Sequence, residues 1–269
     1  MEDYRLDVYL QTNNFTETRE KAKNLIINHC VYVNDKLITK PSFKVKVLDK
    51  VDVKNDFIYV SRGASKLEKA IKYFNVVTKD KTAVDIGAST GGFTDYLIKN
   101  QAKKVYAVDV GHNQLHASLL NNDKVVNMEG TNFRYIDTEM FKVGIDIITV
   151  DVSFISLSLI LPNIAKISNE NTDIIILIKP QFEAGRENIG KNGIVKDKKI
   201  HLSVLKSVQM YCAENGLYLR NITFSPIQGG DGNIEYLGLV KKGIGKDLLS
   251  ENKFKDLIEE AFEYYKKIK

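Results

Sequence analysis

The sequence predicts an α/β protein with a mostly parallel seven-stranded sheet covered by helices on both faces, preceded by a small α+β domain. Three observations predict it. From Thr82 onward, short apolar runs alternate with amphipathic segments, the pattern of a parallel sheet buried on both sides. A glycine-rich turn, Ile86-Gly87-Ala88-Ser89-Thr90-Gly91-Gly92-Phe93-Thr94, follows the first of those runs. The segment Tyr4–Val53 lacks that alternation and reads as two helices followed by a small sheet. The expected limits are 1–56 for the first domain, 57–62 for a linker and 63–269 for the second domain.

In the first domain, Leu6, Val8, Leu10 and Phe15 open the chain. A second helix is expected from Thr16 as N-cap, with Ala22, Leu25, Ile26 and His29 at helical spacing and charges on the other face. Val31-Tyr32-Val33, a turn at Asn34-Asp35, and Lys36-Leu37-Ile38 read as a hairpin. Val45–Val53 alternates as one further strand.

In the second domain, strands are expected at Thr82–Ile86, Val105–Asp109, Val125–Met128, Asp146–Val150, Asp173–Ile178, Leu217–Phe224 and Tyr236–Val240. Ser65 and Glu68 suggest a capping box for a helix that begins near Lys66. Ile200–Asn215 reads as a helix with Leu202, Leu205, Val208 and Cys212 on one face, Asp197 before it and Gly216 after it. The final stripe Phe254, Leu257, Ile258, Ala261, Tyr265 and Ile268 reads as core packing.

With 269 residues, 43% hydrophobic and 27% charged, the chain can bury a core without staples. Cys30 and Cys212 are far apart and in no metal-like spacing, which argues for a reducing, cytoplasmic setting and against a disulfide framework or a required metal. The start, Met1-Glu2-Asp3-Tyr4-Arg5, does not resemble a signal peptide, and no apolar run approaches the roughly 20 residues that span a bilayer. The net charge of +5 suits a polyanionic partner without establishing one.

Two carboxylates frame the glycine turn. Asp85 stands directly before it, and Asp109 ends the next strand, where an acid roughly 20 residues past a glycine loop commonly binds ribose hydroxyls. A NAD site would place glycine where Ser89 stands. A carboxylate at Asp85 would repel a pyrophosphate but suits the cationic sulfonium or amino group of S-adenosylmethionine, so that cofactor is preferred over NAD.

The later strand ends carry charge. Asp151 closes one strand, Lys179 follows the apolar run Ile174–Ile178, and Glu235 opens a late strand after the turn Gly229-Gly230-Asp231-Gly232-Asn233. Lys66 falls in the first turn of a helix, where it opposes the helix dipole. Asp151-Val152-Ser153-Phe154 replaces the Asn/Asp-Pro-Pro-aromatic sequence of amino-group methyltransferases, and neither cysteine sits where a cytosine-carbon enzyme needs its nucleophile. Two lysines and two carboxylates around one point would suit methylation of a ribose 2′-hydroxyl, a poor nucleophile that a lysine can orient or deprotonate. Taken singly, each of these charges could equally be an exposed or ion-paired residue.

Five ordered motifs now resemble a known family. They are Val60-Ser61-Arg62-Gly63-Ala64-Ser65-Lys66-Leu67, Asp85–Thr94, Asp151-Val152-Ser153-Phe154-Ile155-Ser156-Leu157, Ile178-Lys179-Pro180-Gln181-Phe182-Glu183, and Ser225-Pro226-Ile227 through Gly232-Asn233-Ile234-Glu235-Tyr236-Leu237. Together they resemble the TlyA family, whose members are often called haemolysins, over nearly the whole chain. That family joins an S4-type RNA-binding domain to an FtsJ-like domain with the Rossmann-like fold of S-adenosylmethionine-dependent methyltransferases. The resemblance implies 2′-O-methylation of cytidine in ribosomal RNA, with ribosomal RNA or ribosomal subunits as partner. It places a catalytic tetrad on Lys66, Asp151, Lys179 and Glu235. It places the cofactor on Asp85, Gly87, Ser89, Gly91, Gly92, Phe93 and Asp109, with Asn132 or Asp137 beside them. In the first domain, Arg5-Leu6-Asp7, Thr18-Arg19-Glu20-Lys21-Ala22 and Val31–Asp35 carry the match, so Arg5, Arg19, Lys21, Lys23 and Lys36 become candidate phosphate contacts. The glycine-bearing loop Gln181–Lys196 is expected to close over the substrate.

Two other classes predict different features. A membrane-lytic protein would need an exposed apolar helix or a spanning segment, and the sequence shows neither. A non-catalytic RNA-binding protein with a vestigial methyltransferase fold would not need the glycine loop and all four charged positions together.

Overall fold

The computed structural model describes residues 3–27, 30–53, 59–141, 144–190, 193–229, 232–243 and 249–267, in two compact units, Met1–Arg62 and Gly63–Lys269. His29, Gly230, Asp231 and Ile268, named above, lie outside the described residues.

The first unit runs β1 (Tyr4–Arg5), α1 (Leu6–Thr12), α2 (Arg19–Ile27), β2 (Val31–Val33), β3 (Lys36–Leu37), β4 (Lys44–Val45) and β5 (Val51–Val53). β2 is the centre of a three-stranded antiparallel sheet between β3 and β5, and β1 pairs with β4. Leu6, Leu10, Ala22, Ile26, Val31, Val33 and Val45 form its core. Asn34 and Asp35 both have positive φ, 50° and 61°, the backbone of a two-residue primed turn, so the β2–β3 hairpin follows from its turn residues. Two expectations are corrected. α2 starts at Arg19, and Thr18 is the capping residue: its hydroxyl accepts from the Lys21 amide at 3.2 Å, the side-chain-to-N3 bond of an N-cap. Val45–Val53 is not one strand. The Asp49 carboxylate accepts from the Lys46 amide and forms a turn that leaves Val47 and Leu48 exposed and separates β4 from β5.

The second unit runs α3 (Ala64–Phe74), β6 (Thr82–Ile86), α4 (Gly92–Lys99), β7 (Lys104–Val108), α5 (Ala117–Leu120), β8 (Val125–Met128), β9 (Ile147–Val150), α6 (Leu161–Ile167), β10 (Asp173–Ile178), α7 (Pro180–Glu183), α8 (Lys198–Glu214), β11 (Leu217–Phe224), β12 (Tyr236–Lys242) and α9 (Glu251–Lys267). The strand order is β11-β12-β10-β9-β6-β7-β8. β8, β7, β6, β9 and β10 pair in parallel, while β12 is antiparallel to both neighbours. Every residue of β6 and β9 is buried, as expected of strands covered on both faces. Val204, Leu205, Val208 and Cys212 of α8 and Phe254, Leu257, Ile258, Ala261 and Tyr265 of α9 join the same core. Asp197 caps α8 by accepting from the Lys199 amide at 2.8 Å. Among the described residues, no helix is long and apolar enough to cross a membrane.

The expected capping box on α3 is absent. The helix already begins after Gly63, so Ser65 is its second residue, and Glu68 turns forward to Lys72 at 2.6 Å. Lys66 does fall in the first turn.

Candidate active site

Sheet register builds the site. β6 and β9 end with Ile86 opposite Val150, so Gly87 and Asp151 are the next residues beyond the sheet edge. β10 and β12 end with Ile178 opposite Tyr236 in antiparallel pairing, which sets Lys179 beside Glu235 at that same edge. The Asp151 amide donates to the Ile86 carbonyl at 2.9 Å, fixing where its side chain begins. α3 supplies Lys66 from its N-terminal turn.

The four charges form two tight ion pairs. Lys179 Nζ lies 2.6 Å from Asp151 Oδ1 and donates to Ser153 Oγ at 2.9 Å. Lys66 Nζ lies 2.7 Å from Glu235 Oε2. Lys66, Lys179 and Glu235 are buried, and the Asp151 side chain is 22% exposed. Burial pushes the Asp151 carboxyl up, but the charges of Lys66 and Lys179 and the Lys179 hydrogen bond outweigh it and hold it below the usual carboxylate range. Both lysines therefore act on one carboxylate, which makes the four residues one electrostatic unit. It also explains a lysine in the first turn of a helix, since Lys66 is held by Glu235 rather than by favourable interaction with its own backbone.

The glycine turn abuts this unit. Gly87 has φ of +83°, and a Cβ there would come within 2.4 Å of the Asp151 carbonyl, so only glycine fits. Gly91 has φ of +93°, and a Cβ there would strike Leu119 and Leu115. Asp109 lies just beyond β7 and accepts from the Ser89 amide at 2.8 Å and the Gly111 amide at 2.7 Å. It thereby ties the glycine turn to the next strand end while keeping lone pairs for a ligand. Asn132 is exposed, accepts from the Arg134 amide, and follows Thr131, whose amide donates to the Asp109 carbonyl.

Two expectations need correction. Asp85 does not open onto the ligand side: it is fully buried, and its oxygens accept from Thr94 Oγ1 at 2.7 Å and Thr149 Oγ1 at 2.8 Å. Burial raises its carboxyl to about 6 against those hydrogen bonds. Its effect on a cation would come through its field and through the turn it braces. Gly92 and Phe93 are likewise buried, and Phe93 packs as core rather than lining a surface. Accessible ligand-side positions in the turn are Gly87, Ser89 and Thr90.

Several residues at the site were not singled out by sequence. Phe154, three residues past Asp151, has φ of +64° and is 91% exposed, a strained backbone for an aromatic residue. Its ring lies 5.0 Å from that of Phe182, and Lys179 Nζ lies 5.8 Å from the Phe182 centroid. Glu183 accepts from Ser156 Oγ and the Leu157 amide, pinning α7 to the segment after Asp151. Burial raises its carboxyl. Asn233 clamps the loop that precedes α8, donating to the Gly193 carbonyl at 2.9 Å and accepting from the Val195 amide at 3.0 Å. His201 donates from Nε2 to the Val195 carbonyl and accepts at Nδ1 from the Tyr236 hydroxyl. Burial lowers its pKa, in keeping with a neutral ring. The loop expected to close over the substrate is thus tied at Gly193 and Val195 to Asn233, two residues before Glu235.

The candidate phosphate contacts of the first unit divide in two. Arg5 Nε and Arg19 Nε lie 3.0 and 2.9 Å from the carboxylate of Asp7, which is fully buried. Burial pushes Asp7 up, and the two guanidiniums overcome it and hold its carboxyl low. Both arginines keep exposed surface and further N–H donors. Lys21 pairs with Glu17, while Lys23 and Lys36 are exposed.

Comparison with known proteins bears on both units. Residues 59–242 match the FtsJ-like methyltransferase family, and residues 5–51 match the S4 domain. The chain is 48% identical to YqxC of Bacillus subtilis, provisionally named an rRNA methyltransferase, over 98% of this chain and 96% of that protein. It is 40% identical to a Campylobacter jejuni protein named 23S rRNA (cytidine-2′-O)-methyltransferase TlyA, over 81% of this chain and 92% of that one. A solved structure from Streptococcus thermophilus, described as a hemolysin, superposes with a TM-score of 0.79 at 43% identity, covering 99% of this chain and 98% of that one.

Proposed function

Because the chain belongs to the FtsJ-like methyltransferase family and carries an S4 domain, we propose that it transfers a methyl group from S-adenosylmethionine to the ribose 2′-hydroxyl of a cytidine in ribosomal RNA. The observation that carries this reading is the joining of Lys66, Asp151, Lys179 and Glu235 into one buried charge network beside the glycine turn. The YqxC and TlyA relatives, named for rRNA methylation, support the substrate class. In this reading 1–56 is the RNA-binding domain, 57–62 a linker and 63–269 the methyltransferase domain, and the split into units Met1–Arg62 and Gly63–Lys269 supports it.

The residues present fit the cofactor. Asp109 offers a carboxylate at a strand end beside the glycine turn, and the missing Cβ atoms of Gly87 and Gly91 let backbone pack closely there. Once bound, S-adenosylmethionine supplies an electrophilic methyl group, which the hydroxyl oxygen takes while sulfur keeps the electron pair. The chain's own residues do the rest. Lys179, fixed by Asp151 and Ser153, donates a hydrogen bond that orients the hydroxyl oxygen. The proton lost from that hydroxyl passes to the carboxylate network and from there to solvent. Lys66 pairs with Glu235 and, with Lys179, holds Asp151 charged in a buried setting. Phe154 presents an exposed ring beside this network, suited to stacking on an unstacked base. Arg5, Arg19, Lys21, Lys23 and Lys36 of the S4 unit supply positive charge for the RNA backbone. The setting is the cytoplasm, where ribosomal RNA is modified.

The test is nucleoside analysis. Ribosomal subunits lacking the modification are incubated with the protein and labelled S-adenosylmethionine, then digested to nucleosides. Label in 2′-O-methylcytidine supports the proposal; label only in base-methylated nucleosides, or none, refutes it.

A further inference from the structure

Glu129 follows β8 directly, at the sheet edge where Asp109 follows β7. Its carboxylate reaches back to the segment between β7 and α5. Oε1 accepts from the Gln114 amide at 2.5 Å and the Leu115 amide at 2.9 Å, and Oε2 accepts from Asn127 Nδ2 at 2.9 Å. These bonds, the Asn127 side chain first and the Asn113 amide contributing as well, pull the carboxyl down to about 2. Asn113 has φ of +56°, a left-handed residue that turns successive amides toward one point, the kind of backbone concavity that takes an anion. Here the chain supplies that anion itself.

The segment that Glu129 holds runs along the cofactor side of the fold. It leaves the sheet at Asp109, whose carboxylate accepts from the Ser89 and Gly111 amides. The Thr131 amide donates to the Asp109 carbonyl and the Gly130 amide to the Gly111 carbonyl, both at 2.8 Å. The segment returns against the glycine turn. The His116 amide donates to the Thr90 carbonyl at 3.2 Å, and buried Leu115 stands 2.8 Å from the place that a Cβ on Gly91 would take. Residues 129–131 therefore fasten the near end through backbone and the far end through one carboxylate. Without that carboxylate, the converging amides at 113–115 lose their acceptor, and the strap between Asp109 and the glycine turn slackens.

We propose that Glu129 is a positioning residue for S-adenosylmethionine: through the Gln114 and Leu115 backbone it holds Asp109 and the glycine turn in one preformed cleft. The inference rests on the methyl-donor reading of that cleft. Glu129 is assigned no contact with the cofactor. Its effect is preorganisation. A segment already fixed costs no ordering when a ligand binds, whereas a loosened one takes that cost out of the affinity. The methyl-transfer step depends on the separate network of Lys66, Asp151, Lys179 and Glu235, so binding and chemistry respond differently to a change at Glu129.

The experiment uses the full chain. S-adenosylmethionine affinity by calorimetry, thermal unfolding, and methyl transfer to ribosomal subunits from cells lacking the protein are measured for Glu129→Gln and Asn127→Asp. Glu129→Gln keeps the shape and removes the charge. It is expected to weaken S-adenosylmethionine binding about tenfold and to raise its KM alike, with kcat and subunit affinity within about twofold of wild type. Asn127 is exposed, and Asn127→Asp replaces the donor to Glu129 with a second carboxylate. It is expected to weaken S-adenosylmethionine about threefold or more, again through KM, and it stands in should Glu129→Gln fail to fold. An affinity within about twofold of wild type in Glu129→Gln, or in Asn127→Asp where that variant stands in, overturns the assignment whatever the Tm, because a purely structural strut lowers Tm alone. A fall in kcat at saturating S-adenosylmethionine with unchanged affinity overturns it as well, since Glu129 would then act in the chemistry. If the wild-type protein binds S-adenosylmethionine and the variants match it, the Glu129 role alone falls. If the wild-type protein binds none, the cofactor reading falls first and the Glu129 role with it.

Discussion

Lys66 Nζ and Glu235 Oε2 lie 2.7 Å apart across 169 residues of sequence, with both side chains buried. The pair joins the first helix of the second unit to the residue just before its last strand, so it serves packing and chemistry together.

Removing one partner should expose that double role. Glu235→Leu leaves the Lys66 charge in a dry setting with the field of Asp151 as partial compensation, and should cost about 3 kcal/mol, the lower end for a broken buried pair. Lys66→Met combined with Glu235→Leu should recover much of that stability and none of the activity. Chemical denaturation and a methyl-transfer assay on the single and double variants check this. A double variant destabilised by the sum of the Lys66→Met and Glu235→Leu costs would show that the pair is not coupled.

Asp85 should make stability depend on pH. Its folded carboxyl is raised to about 6 from 3.8, so its favourable contribution is complete below the unfolded value and is lost as pH rises through about 6. Asp85→Asn should therefore gain stability at neutral pH, up to about 3 kcal/mol by linkage, and should flatten the stability profile between about pH 4 and 6. It should also weaken cofactor binding, because the braced turn loses its anion. Unfolding curves across that range, with calorimetry of S-adenosylmethionine, decide it.

Phe154 should show strain held for function. Its φ of +64° suits glycine, so Phe154→Gly should leave stability unchanged or raise it by about 1 kcal/mol. The same change removes an exposed stacking surface worth about 1–3 kcal/mol per base, so transfer at low RNA concentration should fall about tenfold. Parallel measurement of Tm and kcat/KM tests the pairing of outcomes. Lower stability with unchanged kcat/KM would mean that the ring serves packing only.

The basic residues of the S4 unit should separate by role. Arg19→Ala should destabilise that unit, because Asp7 is buried and among the described residues keeps Arg5 alone as its ionic partner. Lys23→Ala with Lys36→Ala should leave stability alone and reduce the salt dependence of RNA affinity by about 0.7–0.9 per lost phosphate contact. Binding titrations at several salt concentrations, alongside thermal unfolding, distinguish the two.

The sheet of the second unit was legible because its strands are apolar runs with charged residues where they stop. Asp151, Lys179 and Glu235 stand out in the sequence for that reason, and register then brings them to one edge. Which lysine pairs with which carboxylate was not legible, since that depends on β12 running antiparallel beside β10. Asp85 misled for a related reason: a carboxylate beside a glycine turn reads as a ligand contact, whereas Thr149, 64 residues away, helps enclose it. The α3 start was misplaced because Ser65 and Glu68 have capping-box spacing, while Glu68 is taken by Lys72. In the first unit, Val45–Val53 alternates like a strand, and only the Asp49 turn shows that it is two. Phe154 was legible only as a member of the Asp151–Leu157 motif, because a positive φ on phenylalanine exists only in three dimensions.

The central claim is that the Lys66, Asp151, Lys179 and Glu235 network performs ribose methylation. The most direct measurement maps 2′-O-methylation on ribosomal RNA from cells lacking the protein and complemented with wild type or Lys179→Ala, with cofactor affinity measured on both purified proteins. A 2′-O-methylcytidine is expected with wild type and not with Lys179→Ala, while S-adenosylmethionine affinity stays within about twofold. A modification that persists with Lys179→Ala, or one that never depends on the wild-type protein, would contradict it.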